Sequence, residues 1–313
     1  MFKTGITTIE DLRDKSKWNT WLLKRSRNVA ITLYNETLNS PELSEKVLRE
    51  FTDDRGVYKR TAADRFAAFD IEALKIIELN FAQNEQLAVS DVAVSDGRTA
   101  LDFFQKLDKI RKIRVYDASD YLCVVNAYEK DGVTAVAGNN KIIQIVWKKC
   151  VLSKKRKTSF IVFALNVVNY MLYYFLTPKA KRAIEEGKKT EIKLFCPSAL
   201  LKSKQDDRFS LFEHNILEPF ISRYHIIRAM NILNFSYFNV AQFETIIDNF
   251  YASLSDGGLL ITGSNQDAGS IVNGAIYKKT KNGFELIYES GEGSATKGLI
   301  ENYAAKSAIT KGD

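Results

Sequence analysis

A chain of 313 residues, 45% hydrophobic and 27% charged, with four prolines and 16 glycines, can build one large domain with a smaller companion; disordered, collagen-like and low-complexity classes are excluded. The formal net charge is +7, but Lys148–Lys189 holds 11 Lys and Arg against Glu185 and Glu186 alone; this stretch carries +9 and leaves −2 elsewhere, which removes the broad basic face of a nucleic-acid binder. Three scattered cysteines without a CxxC pair and only two histidines argue against a disulfide framework or a metal site and fit a reducing, cytoplasmic compartment, and the N-terminus lacks the apolar core of a signal peptide.

In chain order, residues 1 to 82 read as a helical region. Ser40-Pro41 supplies an N-cap and first-turn proline for a helix through Phe51. Ile71, Leu74, Ile77 and Phe81 recur at the spacing of one helical face. At Leu87 the pattern changes to a short β run ending at Asp91, followed by a loop of small residues and a helix over Thr99–Leu107. Further β-like segments at Ile113–Tyr116, Ile192–Phe195, Phe209–Phe212, His225–Arg228 and Leu259–Thr262 alternate with helical stretches. Such alternation implies parallel βαβ units in a doubly wound sheet. Residues 126–144 read as a small β excursion. Asn239 with Gln242 forms a capping box, and Asn282-Gly283 between two alternating runs signals a closing antiparallel hairpin.

Between the basic clusters lies the uncharged run Phe160–Leu176, whose 17 residues sit at the short end of the range of about 17–25 that spans a bilayer. A single crossing would place segments of one sheet on opposite sides of a membrane. The run therefore rests on a membrane, dips into it and returns, or is buried in protein. Lys and Arg on both flanks suit an interfacial anchor attracted to anionic lipid; a core helix with solvated basic flanks is the plainer alternative.

Candidate chemistry begins at the turn after Ser90. Small residues there let a nucleotide-like ligand approach the backbone, and the following helix offers N–H groups at its N-terminus. About 20 residues past Gly97, Asp117 is expected at the tip of the next strand, where a carboxylate can accept two hydrogen bonds from a ribose diol; a helix N-cap is its alternative role. A nicotinamide-binding fold would present a similar pattern.

The stretch from Phe209 to Gly263 resembles the Rossmann-like class of S-adenosylmethionine-dependent methyltransferases, closest in pattern to the chemotaxis-receptor type. The matching residues are Asn215-Ile216-Leu217 after one strand, Met230-Asn231-Ile232-Leu233 with Phe235 after the next, and Leu254-Ser-Asp-Gly-Gly258 leading into a third. The likeness extends over about 85–125 and 190–290. It implies a Rossmann-like, seven-stranded, mostly parallel sheet with a C-terminal antiparallel hairpin, occupying 83–125 and 190–295. The N-terminal helical region (1–82), a basic-apolar insert (126–189) and a tail (296–313) would complete the chain.

By the same resemblance, S-adenosyl-L-methionine is the cofactor and no metal is required. Asp91, Ala93, Ser95, Gly97 and Asp117 would line its methionine and ribose side, Asn215 and Ile216 would flank adenine, and Asn231 would face the transferable methyl group as the catalytic residue. A turn cap is the alternative for Asn231. The family's Asp-x-Gly-x-Gly-x-Gly loop is here Asp91-Val-Ala93-Val-Ser95-Asp-Gly97, so small residues replace two of three glycines: either the loop has no need of positive φ there, or cofactor affinity is weakened. Met230 replaces the family arginine, which argues against a protein-glutamate acceptor. His225 is expected as a hydrogen-bonded core histidine.

The expected function is methyl transfer at the cytoplasmic membrane face, with an anionic membrane surface as partner through Lys148–Lys189 and a lipid, lipid-linked glycan or small molecule as acceptor. A catalytically silent, membrane-associated scaffold or sensor is the alternative. A nicotinamide oxidoreductase is disfavoured by the closing hairpin and by Asp91.

Overall fold

A computed structural model describes residues 29–54, 59, 62–148, 150–153, 163–265 and 270–304. The first 28 residues of the expected helical region with 55–58, 60 and 61, Lys149 and Lys154–Lys157 of the basic stretch, Phe160–Val162 of the apolar run and 305–313 of the expected tail lie outside them. The chain divides into two compact units, one of residues 1–60 with 122–197 and the other of 61–121 with 198–313.

The second unit is built on seven strands: β1 (Gln86–Val92), β2 (Lys112–Asp120), β8 (Phe209–Glu213), β9 (Tyr224–Met230), β10 (Leu254–Ser264), β11 (Asn273–Lys279) and β12 (Phe284–Ser290), numbered in chain order with β3 to β7 in the first unit. Their order across the sheet is β12-β11-β10-β9-β1-β2-β8. The five strands from β10 to β8 are parallel, and β11 and β12 close the sheet as the antiparallel hairpin expected at Asn282-Gly283. This is a Rossmann-like sheet. The chain walks outward from β1 through β2 to β8, then returns to β9 and walks the other way, so the order reverses between β1 and β9. Doubly wound sheets bind ligands at the carboxyl ends of the strands flanking such a reversal. Central strands covered on both faces should read as unbroken buried runs, and six of the seven residues of β1 are buried.

Helices α3 (Ala67–Asn80), α4 (Arg98–Asp108) and α6 (Pro197–Gln205) serve one face. There Phe104 of α4 packs against Tyr116 and Phe209, and Lys202 of α6 lies over the Phe104 ring. The other face is covered by α7 (Val240–Ser253) through Phe243, Ile246, Ile247 and Phe250, joined by Ile216 and by Ile300 of the short helix α8 (Lys297–Glu301). The Asn239–Gln242 capping box is present in full at the start of α7. Helix α3 departs from expectation. Its buried face is Phe69, Asp70, Ala73 and Ile77, whereas Ile71 is 51% exposed. Asp70 takes an inward position that an apolar pattern passes over, because its partner is a buried cation.

The first unit holds a five-stranded antiparallel sheet of β3 (Val124–Lys130), β4 (Val133–Gly138), β5 (Lys141–Trp147), β6 (Cys150–Ser153) and β7 (Lys188–Lys193), in the order β6-β5-β4-β3-β7. Tight turns at Asp131-Gly132 and Asn139-Asn140, all with positive φ, join its neighbours. The strand expected at Ile192–Phe195 belongs here, antiparallel to β3, and not to the parallel sheet. Helix α5 (Phe163–Glu186) packs Tyr173, Leu176, Ala180 and Ala183 onto Val133, Ala135, Ile145 and Leu152 of this sheet. At the N-terminal side, α1 (Tyr34–Thr37) buries Tyr34, whose hydroxyl donates to the Phe195 carbonyl, and α2 (Pro41–Glu50) starts at Pro41 without a side-chain cap from Ser40. The expected helical region thus divides between units: residues 29–54 accompany the small sheet, and α3 belongs to the large one.

Candidate functional site

The reversal between β1 and β9 brings together the turn after β1, the end of β2, the residues after β8 and the residues after β9. All belong to the second unit. In the turn, Ala93 (φ 57°), Ser95 (φ 61°) and Gly97 (φ 80°) are all left-handed. These are the three positions at which the resembling family carries glycine. All three positions adopt the conformation that glycine reaches most readily, although two bear side chains, each strained by roughly 1–2 kcal/mol. The first of the alternatives posed by the sequence, a loop with no need of positive φ, is overturned.

The Val94 N–H donates to the Ser119 carbonyl at 3.0 Å, so the turn closes directly on the end of β2. Gly97 is the N-cap of helix α4, and Asp96, 1% exposed, accepts the Arg98 N–H at 3.0 Å through Oδ1. A carboxylate of the chain itself thus fills the helix N-terminus where a phosphate would otherwise be held.

Asp117 does not sit at a strand tip. It pairs across from Ser90 on one side and Ser210 on the other, three residues short of the end of β2, and its carboxylate accepts from Ser210 Oγ at 2.6 Å and Tyr224 Oη at 2.8 Å. The acid at the tip is Asp120, one step beyond the Val92–Ser119 pair, with its carbonyl accepting the His214 N–H. Strand β2 runs on because Asp117 to Asp120 keep pairing with β8 through polar residues that a hydrophobic pattern reads as a strand end.

Asp91 lies under the turn, 1% exposed, and points at the α3–α4 face. Its Oδ2 accepts from Arg228 at 2.9 Å and from Tyr116 Oη at 2.7 Å, while a second guanidinium nitrogen of Arg228 reaches Asp70 at 3.0 Å. The buried guanidinium lies over the Phe66 and Phe103 rings, 5.3 and 4.7 Å from their centroids, within cation–π range of both. Burial pushes the carboxyl pKa values of Asp91 and Asp70 upward, opposed by the charge of Arg228. Burial also works against the Arg228 charge, but the two carboxylates outweigh it and the guanidinium stays protonated. Burial, then the Asp91 charge, drive the Tyr116 pKa well upward, so its hydroxyl remains a donor. This cluster fixes the carboxyl end of β1 from below. The sequence carried one sign of it, a charged Arg228 within the apolar run Ile226–Met230.

Asn231 follows β9 with φ 59°. Its N–H donates to the Gly263 carbonyl at 2.7 Å and its Oδ1 accepts the Asn265 N–H at 2.9 Å, which is the turn-cap role. Asn265 is in turn held by Arg65 at 2.8 Å. Asn215 Oδ1 accepts the Leu217 N–H at 3.2 Å, and Ile216 is buried in the core against α7. Of the expected residues, Ala93, Ser95, Gly97 and Asn231 lie at the reversal, Asp91 lies beneath it, Asp117 is held within the sheet by Ser210 and Tyr224, Asn215 closes the turn after β8, and Ile216 lies in the core. Asp96, Asp120 and Asn265, which no sequence pattern singles out, also lie at these strand ends. Among the described residues no three His, Cys, Asp or Glu side chains gather as a metal site.

No protein-family model matches this sequence, and no curated protein matches it. Solved structures similar to the chain include an amino pentose methyltransferase from Micromonospora echinaspora bound to S-adenosylmethionine, at 9% identity over 74% of this chain and 77% of that one, with a TM-score of 0.30. Another is an S-adenosylmethionine-dependent methyltransferase from Clostridium acetobutylicum, at 10% identity over 74% and 73%, TM-score 0.32. The N-methyltransferase NodS from Bradyrhizobium japonicum matches at 14% identity over 64% and 71%, TM-score 0.28. The Rossmann-like description above rests on the strand order and pairing of this chain itself.

Proposed function

We propose that the second unit binds S-adenosyl-L-methionine and catalyses methyl transfer. The observation that carries this reading is the turn of Ala93, Ser95 and Gly97, left-handed at all three positions, at the one reversal of the sheet. That path supports a cradle for a nucleoside-sized ligand and tolerates only small side chains. Asp96 speaks against a dinucleotide, because a pyrophosphate at the start of α4 would meet a buried carboxylate; S-adenosyl-L-methionine offsets its single carboxylate with an ammonium and a sulfonium, so the repulsion is far smaller. Residues 93–97 would hold the methionine side, Asp120 the ribose hydroxyls, and the segment from His214 the adenine. When bound, the cofactor supplies an electrophilic methyl group on a good leaving group. The remaining task of the chain is to align the acceptor, and the Asn231–Asn265 pair rigidifies the strand end where that happens.

The finer reading keeps the acceptor at the cytoplasmic membrane face, a lipid or small molecule and not a nucleic acid, supported by the exposed apolar side of α5. The closer likeness to the chemotaxis-receptor type rests on residues 209–263 of the sequence, and Met230 continues to speak against a protein glutamate as acceptor.

Calorimetric titration of the full chain with S-adenosyl-L-methionine tests the core of this reading. Asp120→Asn is expected to weaken binding about 10- to 100-fold, the range for losing hydrogen bonds to a charged group. Asp117→Asn should leave affinity within about threefold, since its partners are Ser210 and Tyr224. No heat of binding, with or without lipid vesicles, overturns the proposal in favour of a silent scaffold.

A further inference from the structure

Helix α5 has two faces of unlike chemistry. Inward, Tyr173, Leu176, Ala180 and Ala183 meet the small sheet. Outward, at the i, i+3, i+4 and i+7 spacing of the opposite face, stand Val167, Tyr170, Met171, Tyr174 and Phe175, with Met171 66% and Phe175 74% exposed. Together they present on the order of 500 Å² of largely apolar side chain, the upper end of what single soluble chains expose without a binding role. The same face continues through Pro178 to Lys181, Arg182 and Glu185, with Lys179 at its flank. Glu186, the other acid of this stretch, is engaged by Lys130.

We propose that this outward face is a docking surface for an anionic phospholipid bilayer, with α5 lying along the interface and not crossing it. The inward face is already occupied by the chain's own sheet, and no described helix is long and apolar enough to cross a membrane. The changeover along the helix fits a bilayer surface. Tyr170 and Tyr174, paired through their hydroxyls at 3.0 Å, combine apolar rings with polar tips, as residues at headgroup depth do. Pro178 has no N–H to offer, which frees the Tyr174 carbonyl from its intrahelical bond where the apolar half ends. Lys179, Lys181 and Arg182 then begin, placed to meet lipid phosphates. Charge complementarity favours lipid over a second copy of this chain, whose identical basic turn would repel.

Co-sedimentation of the full chain with vesicles tests this, using phosphatidylcholine alone and phosphatidylcholine mixed with phosphatidylserine. The chain should partition onto the mixed vesicles and far less onto phosphatidylcholine. Met171→Asp and Phe175→Asp should each lower partitioning at least tenfold. Lys181→Gln with Arg182→Gln should lower it about 25-fold on mixed vesicles, roughly fivefold per cation, and leave phosphatidylcholine unaffected. All four side chains are exposed, so thermal unfolding should not move, and S-adenosyl-L-methionine affinity measured on the same variants separates this surface from the methyl-transfer reading. Absence of binding to mixed vesicles, or binding indifferent to these substitutions, overturns the proposal. So does a concentration-dependent dimer in light scattering that Met171→Asp abolishes.

Discussion

The two sheets of this chain follow opposite connection rules, and the difference decides where each unit can carry function. In the parallel sheet β1, β2, β8 and β9 are each followed by a connection that must return to the far end of the sheet, so the segments after them, like the turn from β10 into antiparallel β11, leave from the same carboxyl edge. There the backbone turns through left-handed residues at 93, 95, 97 and 231, where the proposed site lies. In the antiparallel sheet neighbours are joined by turns such as Asp131-Gly132, too short to enclose a ligand. Among the described residues of that unit, the outward side of α5 presents exposed apolar side chains at its surface. A crevice built by backbone tolerates side-chain change but not a shift of its strands. A surface built by side chains tolerates the reverse.

The largest expected effect comes from disturbing the end of β1 beneath the turn. Arg228→Met leaves Asp70 and Asp91 buried side by side without their cation, and removal of one partner of a buried ion pair typically costs about 3–5 kcal/mol. Urea denaturation should register a loss of that size, with cofactor affinity falling further than stability alone explains where the variant remains folded. Replacing Asp70, Asp91 and Arg228 together by Asn, Asn and Met removes the uncompensated charges and should recover part of the loss. A loss from Arg228→Met below about 1 kcal/mol would mean that the cluster does not hold β1.

The turn itself gives a smaller effect of opposite sign. Ala93→Gly and Ser95→Gly relieve left-handed strain at the cost of a more flexible unfolded chain, so each should stabilise by about 1 kcal/mol, read from the denaturation midpoint. The same positions illustrate what sequence can and cannot yield. The order of elements, the hairpin at Asn282-Gly283 and the capping box at Asn239 were legible because each is a local pattern with a local cause. The candidate turn was legible by position but not by conformation, since Ala and Ser do not announce a positive φ. Asp117 was misplaced because a strand continuing through Asp-Ala-Ser-Asp looks finished to a hydrophobic pattern, and only pairing with β8 keeps it going. The Arg228 cluster was half legible: an arginine in an apolar strand demands a carboxylate, but nothing local points to Asp70, 158 residues away. The charge and greasiness of the 148–189 stretch were plain from composition, whereas the division of α5 into an inward and an outward face required the sheet it packs on.

The smallest expected effect lies at the opposite edge of the large sheet from the crevice, and it separates support of the fold from support of the site. His225 Nδ1 accepts the Ala88 N–H at 2.9 Å beside the irregular pairing of Leu87 and Ala88, with Nε2 3.4 Å from Glu85 and the ring edge-on to Phe81. Acceptance at Nδ1 requires a nitrogen without a proton, so this bond holds with the neutral imidazole. Burial lowers the His225 pKa, only partly opposed by Glu85, and Arg114 lowers it further. A histidine whose folded pKa lies below its unfolded value near 6.5 contributes stability that is complete above that value and is lost as pH falls through the folded pKa. The unfolding free energy should therefore decline as pH drops below about 6.5. His225→Phe should flatten part of that slope, leaving the share of His214, whose pKa is lowered by burial in the same direction. Affinity for S-adenosyl-L-methionine in the folded protein should not follow this pH dependence, because the Ala88–His225 bond ties the amino end of β1 while the crevice depends on its carboxyl end. If affinity and stability titrate together, the two ends of β1 move as one body, and the crevice is not held by the Arg228 cluster alone.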